Sequence, residues 1–365
     1  MQESKEYLSK QILTYLGNKR SLLNEINKQV LLIKKELNKD KIVSADLFSG
    51  SGIVSRLLKQ HSSLIYSNDL ELYSYIINKA YLGNLSDFNI MEFENYKNSL
   101  MEKFYNNPVV GIISNNYCPS DDNDIKMGER VFFTRRNALF IDTMRFYIDY
   151  IPDYYRTIFL AQLLVKASIH TNTSGVFKGF YKDNTTGVGM FGGKGHNALN
   201  RIMGDIIFEY PVFSNFNCES IVTQKDAEEC VQLIKDIDIT YLDPPYNQHP
   251  YGSNYFMLNL IANNELPKDI SKVSGIPKEW NRSNFNKNKL ALPAFESIIK
   301  ALDSKYIIVS YNNEGFISFY DMFDMLSKYG DVTYENIKYN TFRGSRNLNS
   351  RDLYTNEFIF VLRKN

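Results

Sequence analysis

The stretch Ile239-Thr240-Tyr241-Leu242-Asp243-Pro244-Pro245-Tyr246 constrains this chain more than any other. Its first half reads as a hydrophobic strand. Two consecutive prolines then stop it, because neither can donate a backbone N–H to a sheet ladder. What remains at the strand's carboxyl end is one carboxylate, carbonyls whose direction the prolines fix, and an aromatic ring. An ordinary strand ending needs no acid and no tyrosine bracketing two prolines. The grouping suits an exocyclic amine on a nucleobase, a poor nucleophile whose lone pair is delocalised into its ring. A carboxylate accepting one N–H and a carbonyl accepting the other would hold such an amine in line. Tyr246 would offer a stacking face to a base swung out of a duplex.

A strand–helix alternation surrounds this motif. Leu22, Leu23, Ile26, Val30, Ile33 and Leu37 have helical spacing and predict a helix over 19–37. Residues 41–48 predict a buried strand, turned by Ser49-Gly50-Ser51-Gly52 into a helix over 53–59. A second strand over 64–68 ends at Asp69 and leads to a helix over 71–82. Such a start predicts a doubly wound α/β sheet. The alternation breaks between about 87 and 215, where polar loops, an amphipathic helix near 152–169 and a glycine-rich stretch appear. It resumes with a strand over 213–221, a helix over 226–234 and the strand 238–242. A helix over 293–302, a strand over 306–310, a helix over 316–329 and strands over 332–341 and 358–362 follow. The expectation is one sheet, from 1–88 and 213–365, with a largely helical domain, 89–212, inserted after the second strand. The segment 252–280 reads as a mobile loop over the site.

Composition narrows the class. With 44% hydrophobic and 23% charged residues in 365, the chain reads as soluble and globular. No apolar run is long enough for a membrane span, and the polar start MQESKEYLSK reads as no signal peptide, so a cytoplasmic location is expected. Cys118, Cys218 and Cys230 lie far apart without CxxC spacing, and His61, His170, His196 and His249 show no ligand-like spacing, so no metal is expected. The formal net charge of +1 means that a nucleic-acid partner would have to meet a local basic face.

Two further motifs precede the insert. Asp46-Leu47-Phe48-Ser49-Gly50-Ser51-Gly52 places glycines where a strand becomes a helix, so the backbone can approach a ligand near free helix N–H groups. Asp69, at the end of the next strand, stands where an acid can accept both hydroxyls of a ribose. Taken alone, these features fit a nicotinamide dinucleotide as well, but that reading leaves the Asp243–Tyr246 motif unexplained. Tyr15 and Lys19, in Thr14-Tyr15-Leu16-Gly17-Asn18-Lys19-Arg20, supply an aromatic face for a cation and an ammonium for a carboxylate.

These three motifs, in this order, resemble the D12-class (Dam-like, α-group) adenine-N6 DNA methyltransferases, which include FokI-type modification methylases. Asn68-Asp69, Asn247, the stretch 309–315 and the pair 340–347 and 355–362 fit as well. The resemblance implies a Rossmann-like methyltransferase sheet carrying a target-recognition insert. It implies S-adenosyl-L-methionine as methyl donor, contacted by Tyr15, Lys19, Asp69 and Asp243, with Gly17, Asp46, Phe48, Gly50 and Gly52 shaping the pocket. Asp243, Pro244, Pro245 and Tyr246 would hold the target adenine. Family members usually carry an Asp after the third strand; here the stretch Asn217-Cys218-Glu219-Ser220-Ile221 puts Glu219 in that role. Double-stranded DNA is the implied partner and a cognate restriction endonuclease a possible second one, with the oligomeric state left open. The same pocket logic also serves cytosine N4 or an RNA adenine, and a DNA-binding regulator without turnover is the rival of another class.

Basic side chains among glycines and aromatics mark the expected DNA contacts. They are Arg135 and Arg136 in the insert, Lys178 and Lys182 among aromatics, and Lys194, His196 and Arg201 in the glycine-rich stretch. Arg343, Arg346, Asn347 and Arg351 complete the set in a hairpin loop near the catalytic strand ends.

Overall fold

A computed structural model describes residues 2–10, 12–340 and 354–365 of the chain. The strands are β1 (Ile42–Asp46), β2 (Ser62–Asp69), β3 (Glu219–Gln224), β4 (Ile237–Leu242), β5 (Ser304–Asn312), β6 (Gly330–Asn340) and β7 (Tyr354–Lys364). Among the described residues they form one seven-stranded sheet in the order β3-β2-β1-β4-β5-β7-β6. Neighbours from β3 through β5 run parallel, and β7 lies antiparallel between β5 and β6. The chain winds outward from β1 to β3, then returns to place β4 on the other side of β1. In a doubly wound sheet that reversal opens a crevice beyond the carboxyl ends of the two central strands. The fold is Rossmann-like, as expected.

The central strands have apolar sequences because both faces are covered. Every residue of β4 is buried. One apolar cluster joins β1, β4 and β5 to α1 (Leu23–Glu36) and α2 (Ile53–Lys59), through residues such as Ile26, Val30, Leu57, Ile239 and Ile308. A second joins Leu242, Ile307 and Val309 to residues of later helices, Phe295, Ile298 and Met322 among them.

The stretch between β2 and β3 is largely helical. It contains α4 (Ile90–Asn106), α5 (Arg135–Ile148) and α6 (Asp153–Ile169), which follow α3 (Leu72–Tyr81) in the chain. These helices share one apolar core with α3 and with α7 (Phe256–Asn263). Within 252–280, expected as a mobile loop, residues 256–263 are helical instead, and Met257, Leu258, Leu260 and Ile261 are buried in that core. Beyond α7, Arg130 donates to the carbonyls of Ser271 and Lys272, and the Tyr117 hydroxyl donates to Gly275 O at 2.8 Å.

Two other boundaries move. The third strand begins at Glu219 rather than 213. The helix α8 (Asn288–Ala301) starts before Pro293 and carries it inside, although proline favours a first turn. The last helix, α9 (Phe319–Ser327), is capped by the Ser318 hydroxyl. Among the described residues no helix is long and apolar enough to cross a membrane.

At the amino edge of the sheet Asp238 fixes β4 beside β1. Its carboxylate is fully buried and accepts from Lys39 Nζ at 2.8 Å, Lys305 Nζ at 2.9 Å and Val43 N at 3.0 Å. Burial alone would raise its pKa, but the two ammoniums and the N–H hold the carboxyl below its usual value. Asp238→Ala should lower unfolding stability by ~1–3 kcal/mol, read as a lower urea midpoint. Because the folded pKa is depressed, the wild-type advantage should be full above about pH 4 and fade as pH falls through the depressed value. Equal midpoints at neutral pH would remove Asp238 from the sheet's supports.

Candidate active site

The crevice at the strand reversal is a cleft open to solvent and lined from both halves of the sheet. Its floor begins at β1. Asp46 is 1% exposed; its Oδ2 accepts the Ser55 hydroxyl at 2.7 Å, while Oδ1 is buried without a hydrogen-bond partner. Burial pushes this carboxyl up to about 7, with Ser55 pulling it back. The turn beyond needs its glycines. Gly50 has φ +50, and a Cβ there would stand 2.7 Å from Tyr15 Cε1. Gly52 has φ +76, and a Cβ there would stand 2.3 Å from Asn78 Oδ1. Asp69, at the end of β2, accepts Gly50 N at 2.7 Å and Glu71 N at 2.9 Å, so one carboxylate ties both turns.

A tyrosine wall closes one side. Tyr15 stacks on Tyr251 and on Tyr255, each at a centroid distance of 4.9 Å, and its hydroxyl lies 3.1 Å from that of Tyr73. The Tyr251 hydroxyl donates to Leu16 O at 2.9 Å, and Leu16 N donates to the Tyr255 hydroxyl at 2.8 Å. Residues after the Pro-Pro motif therefore position the motif that opens the chain. Glu71, 3% exposed, strengthens the link: its carboxylate accepts from Asn259 and Asn281, and burial pushes its pKa up to about 7.

Asp243 follows β4. Lys19 Nζ stands 2.9 Å from Asp243 Oδ1, 3.1 Å from Glu357 Oε1 and 3.3 Å from Gly17 O. Lys19 is 4% exposed, yet the two carboxylates outweigh its burial and hold the ammonium well above its usual pKa. Burial pushes Asp243 up to about 6; Lys19 opposes this and Glu357 adds to it. The loop is clamped on both sides: Phe316 N donates to Tyr246 O at 3.1 Å, and Asn286 Nδ2 to Asn247 O at 2.9 Å. Tyr246 packs edge-on to Tyr311 at 5.9 Å, with Lys19 Nζ 5.5 Å from its ring centre.

The cleft thus brings together Tyr15, Gly17, Lys19, Asp46, Phe48, Gly50, Asp69, Asp243 and Pro245. Gly52, Pro244 and Tyr246 are not among the residues that line it. Glu219 is a correction. It opens β3, at the opposite end from the cleft, and is exposed. The acid that follows β3 and lines the cleft is Asp226. The misplaced strand boundary caused the error: with the strand ending at 221, Glu219 seemed terminal. Sequence reasoning also missed Glu71 and Glu357, and Ser283 and Asn286 from a segment that brings Phe285 5.2 Å from Phe48.

The expected DNA contacts separate. Arg135 is another correction, because its guanidinium turns inward to Ser114 O at 2.6 Å. Arg201 likewise donates to the carbonyls of Ile169 and Thr171 at the end of α6. Arg136 is exposed and paired with Asp205 at 2.8 Å. Lys178, Lys194 and His196 are exposed, and Lys182 is half-buried over the Phe180 ring. Phe177 N donates to Asn254 O at 2.8 Å, which brings the Lys178 loop beside the segment that follows the Pro-Pro motif. Arg343, Arg346, Asn347 and Arg351 lie outside the described residues.

The chain is 30% identical to the type II methyltransferase M.NlaIII of Neisseria lactamica, over 96% of this chain and 99% of that protein. It is 30% identical to the type II methyltransferase M.CviAII of Paramecium bursaria Chlorella virus 1, over 87% and 88%. It is 27% identical to the type II methyltransferase M.FokI of Planomicrobium okeanokoites over 96% of this chain and 52% of that protein, so it spans about half of that relative. The model of the family described as D12 class N6 adenine-specific DNA methyltransferase matches residues 15–325. On that match, which runs from the tyrosine wall through the Asp243 loop, the chain belongs to the D12 class N6 adenine-specific DNA methyltransferases.

Proposed function

We propose that the chain transfers a methyl group from S-adenosylmethionine to the N6 amine of an adenine turned out of duplex DNA, at a fixed sequence, as the modification partner of a restriction endonuclease. The observation that carries this is the Asp243 carboxylate, fixed by Lys19 at the mouth of the open cleft, next to a tyrosine ring on a clamped loop. S-adenosylmethionine supplies an electrophilic methyl on a sulfonium. The residues present suit it: a tyrosine wall for the cation, Asp69 for ribose hydroxyls and Asp226 for the adenine. The buried, unpaired Asp46 Oδ1 suits an ammonium donor. Lys19 is engaged with Asp243 and Glu357, so its part is to fix the catalytic acid.

At the reacting centre Asp243 accepts one N6–H and the Pro244 carbonyl the other. This concentrates electron density on nitrogen as positive charge develops there, and the methyl carbon gains its bond to N6 as its bond to sulfur breaks. Tyr246 stacks against the extruded base, which repays part of the unstacking cost. Residues 89–212 form the target-recognition unit in this proposal. Lys178, Lys182, Lys194 and His196, with Arg343, Arg346, Asn347 and Arg351, hold phosphates and base edges, while Arg136 lies on the same unit. The type II methyltransferase relatives support the restriction–modification setting.

Labelled S-adenosylmethionine and unmethylated duplex DNA should give N6-methyladenine after nucleoside digestion. Asp243→Ala should lower kcat by about a hundredfold or more. Label in N4-methylcytosine would overturn the base assignment, and label in RNA alone the substrate. At low substrate concentration kcat/KM should fall about tenfold per pH unit below about 6, because protonated Asp243 no longer accepts the amine hydrogen. A flat profile between pH 5 and pH 7 would take Asp243 out of that role. Gly50→Ala should weaken cofactor binding about tenfold by calorimetry, since its Cβ displaces the Tyr15 ring. Unchanged affinity would separate that turn from the cofactor.

A further inference from the structure

Glu357 is a buried acid to which the reaction above gives no task. It is 3% exposed, in an interior strand whose neighbours Phe358, Ile359 and Phe360 are apolar. Burying a carboxylate costs several kcal/mol unless charge and hydrogen bonds compensate. Here both do. The Ser310 hydroxyl on β5 donates to Glu357 Oε1 at 2.7 Å, and Lys19 Nζ lies 3.1 Å from the same oxygen.

We propose that Glu357 is a positioning residue for methyl transfer: it shares the Lys19 ammonium with Asp243 and so leaves Asp243 able to accept the hydrogen of the target amine. This rests on the function proposed above. Lys19 faces three groups: the carboxylates of Asp243 and Glu357 at ion-pair distance, and Gly17 O, to which it donates. With only the first, Asp243 and Lys19 would form a closed, neutral buried pair. A neutral base amine is a poor competitor for a carboxylate committed to an ammonium. Dividing the ammonium between two carboxylates keeps Lys19 charged and in place while loosening its hold on either one.

The cluster then carries one cation and two anions, a balance that suits an incoming sulfonium. The other groups facing Asp243 are Tyr241 on β4, Asp46 at the end of β1, and Tyr246 and Tyr251 from the segment after β4. None of them replaces Glu357 as an anion on Lys19. Loss of Glu357 removes a negative neighbour that raises the Asp243 pKa, so Asp243 should titrate at lower pH.

The test compares wild type, Glu357→Gln, Glu357→Asp and Ser310→Ala. In Glu357→Gln, kcat should fall about ten- to a hundredfold, with DNA KM changed much less, and the acid limb of the kcat/KM profile should move to lower pH. Glu357→Asp should restore the limb toward wild type. Ser310→Ala, a milder change, should move both quantities in the same direction by less. In parallel, carbon-13 NMR of labelled aspartate carboxyls should show the Asp243 titration midpoint falling in Glu357→Gln, a measurement independent of turnover. A wild type that methylates no DNA would defeat the proposed function while the NMR titration still judges the coupling. A wild-type kcat and acid limb in Glu357→Gln, or an unmoved Asp243 midpoint, would overturn the proposal. So would a loss of activity matched only by a loss of folded protein.

Discussion

The reversal of strand order between β1 and β4 is the constraint on which the rest depends. Two parallel neighbours whose chains run on to different sides of the sheet cannot close over the space beyond their ends. Asp46 ends one of those strands and Asp243 follows the other, so both carboxylates come to one crevice without any loop having to carry them there. The amino edge is closed in the opposite way. Asp238, with two lysines and a backbone N–H upon it, holds the same two strands in register where nothing must bind. One end of the pair is locked for stability and the other left open for a ligand.

Electrostatics at the open end follow from crowding acids into little water. Asp46, Glu71 and Asp243 all have raised pKa values, and in each the first cause is burial. Lys19 is the ammonium paired with acids at the centre of this group. A site of this kind is costly in its empty state and gains from a ligand that brings positive charge and hydrogen-bond donors. The tyrosines answer the same need. Their ring faces are negative, their bodies apolar, and their hydroxyls hydrogen-bond with the backbone of Leu16, so the wall is held as a unit.

What was legible in the sequence was local chemistry. Glycines that must take positive φ, prolines that must end a strand, and an acid or a tyrosine at a fixed distance from them carry their meaning in a few consecutive residues. Glu357 could not be found that way. In Thr355-Asn356-Glu357-Phe358 the glutamate follows two polar residues and reads as the edge of a polar loop, and only the placement of β7 beside β5 shows it to be buried. Arg135 failed for the same reason, since nothing local says whether an arginine at a helix start turns outward or back to a carbonyl. Glu219 was lost to a boundary. The apolar residues of α7 were hidden among asparagines, although their spacing is helical.

Lys19 and Glu357 come from opposite ends of the sequence, yet their side chains meet in one buried contact. During synthesis on the ribosome, the tyrosine wall, the glycine turn and the Asp243 loop all emerge before β7. Until that strand inserts between β5 and β6, the sheet lacks its antiparallel partner and Lys19 lacks its second acid. On the proposal above, a chain that stops before β7 carries every cofactor motif but lacks the acid that shares the Lys19 ammonium.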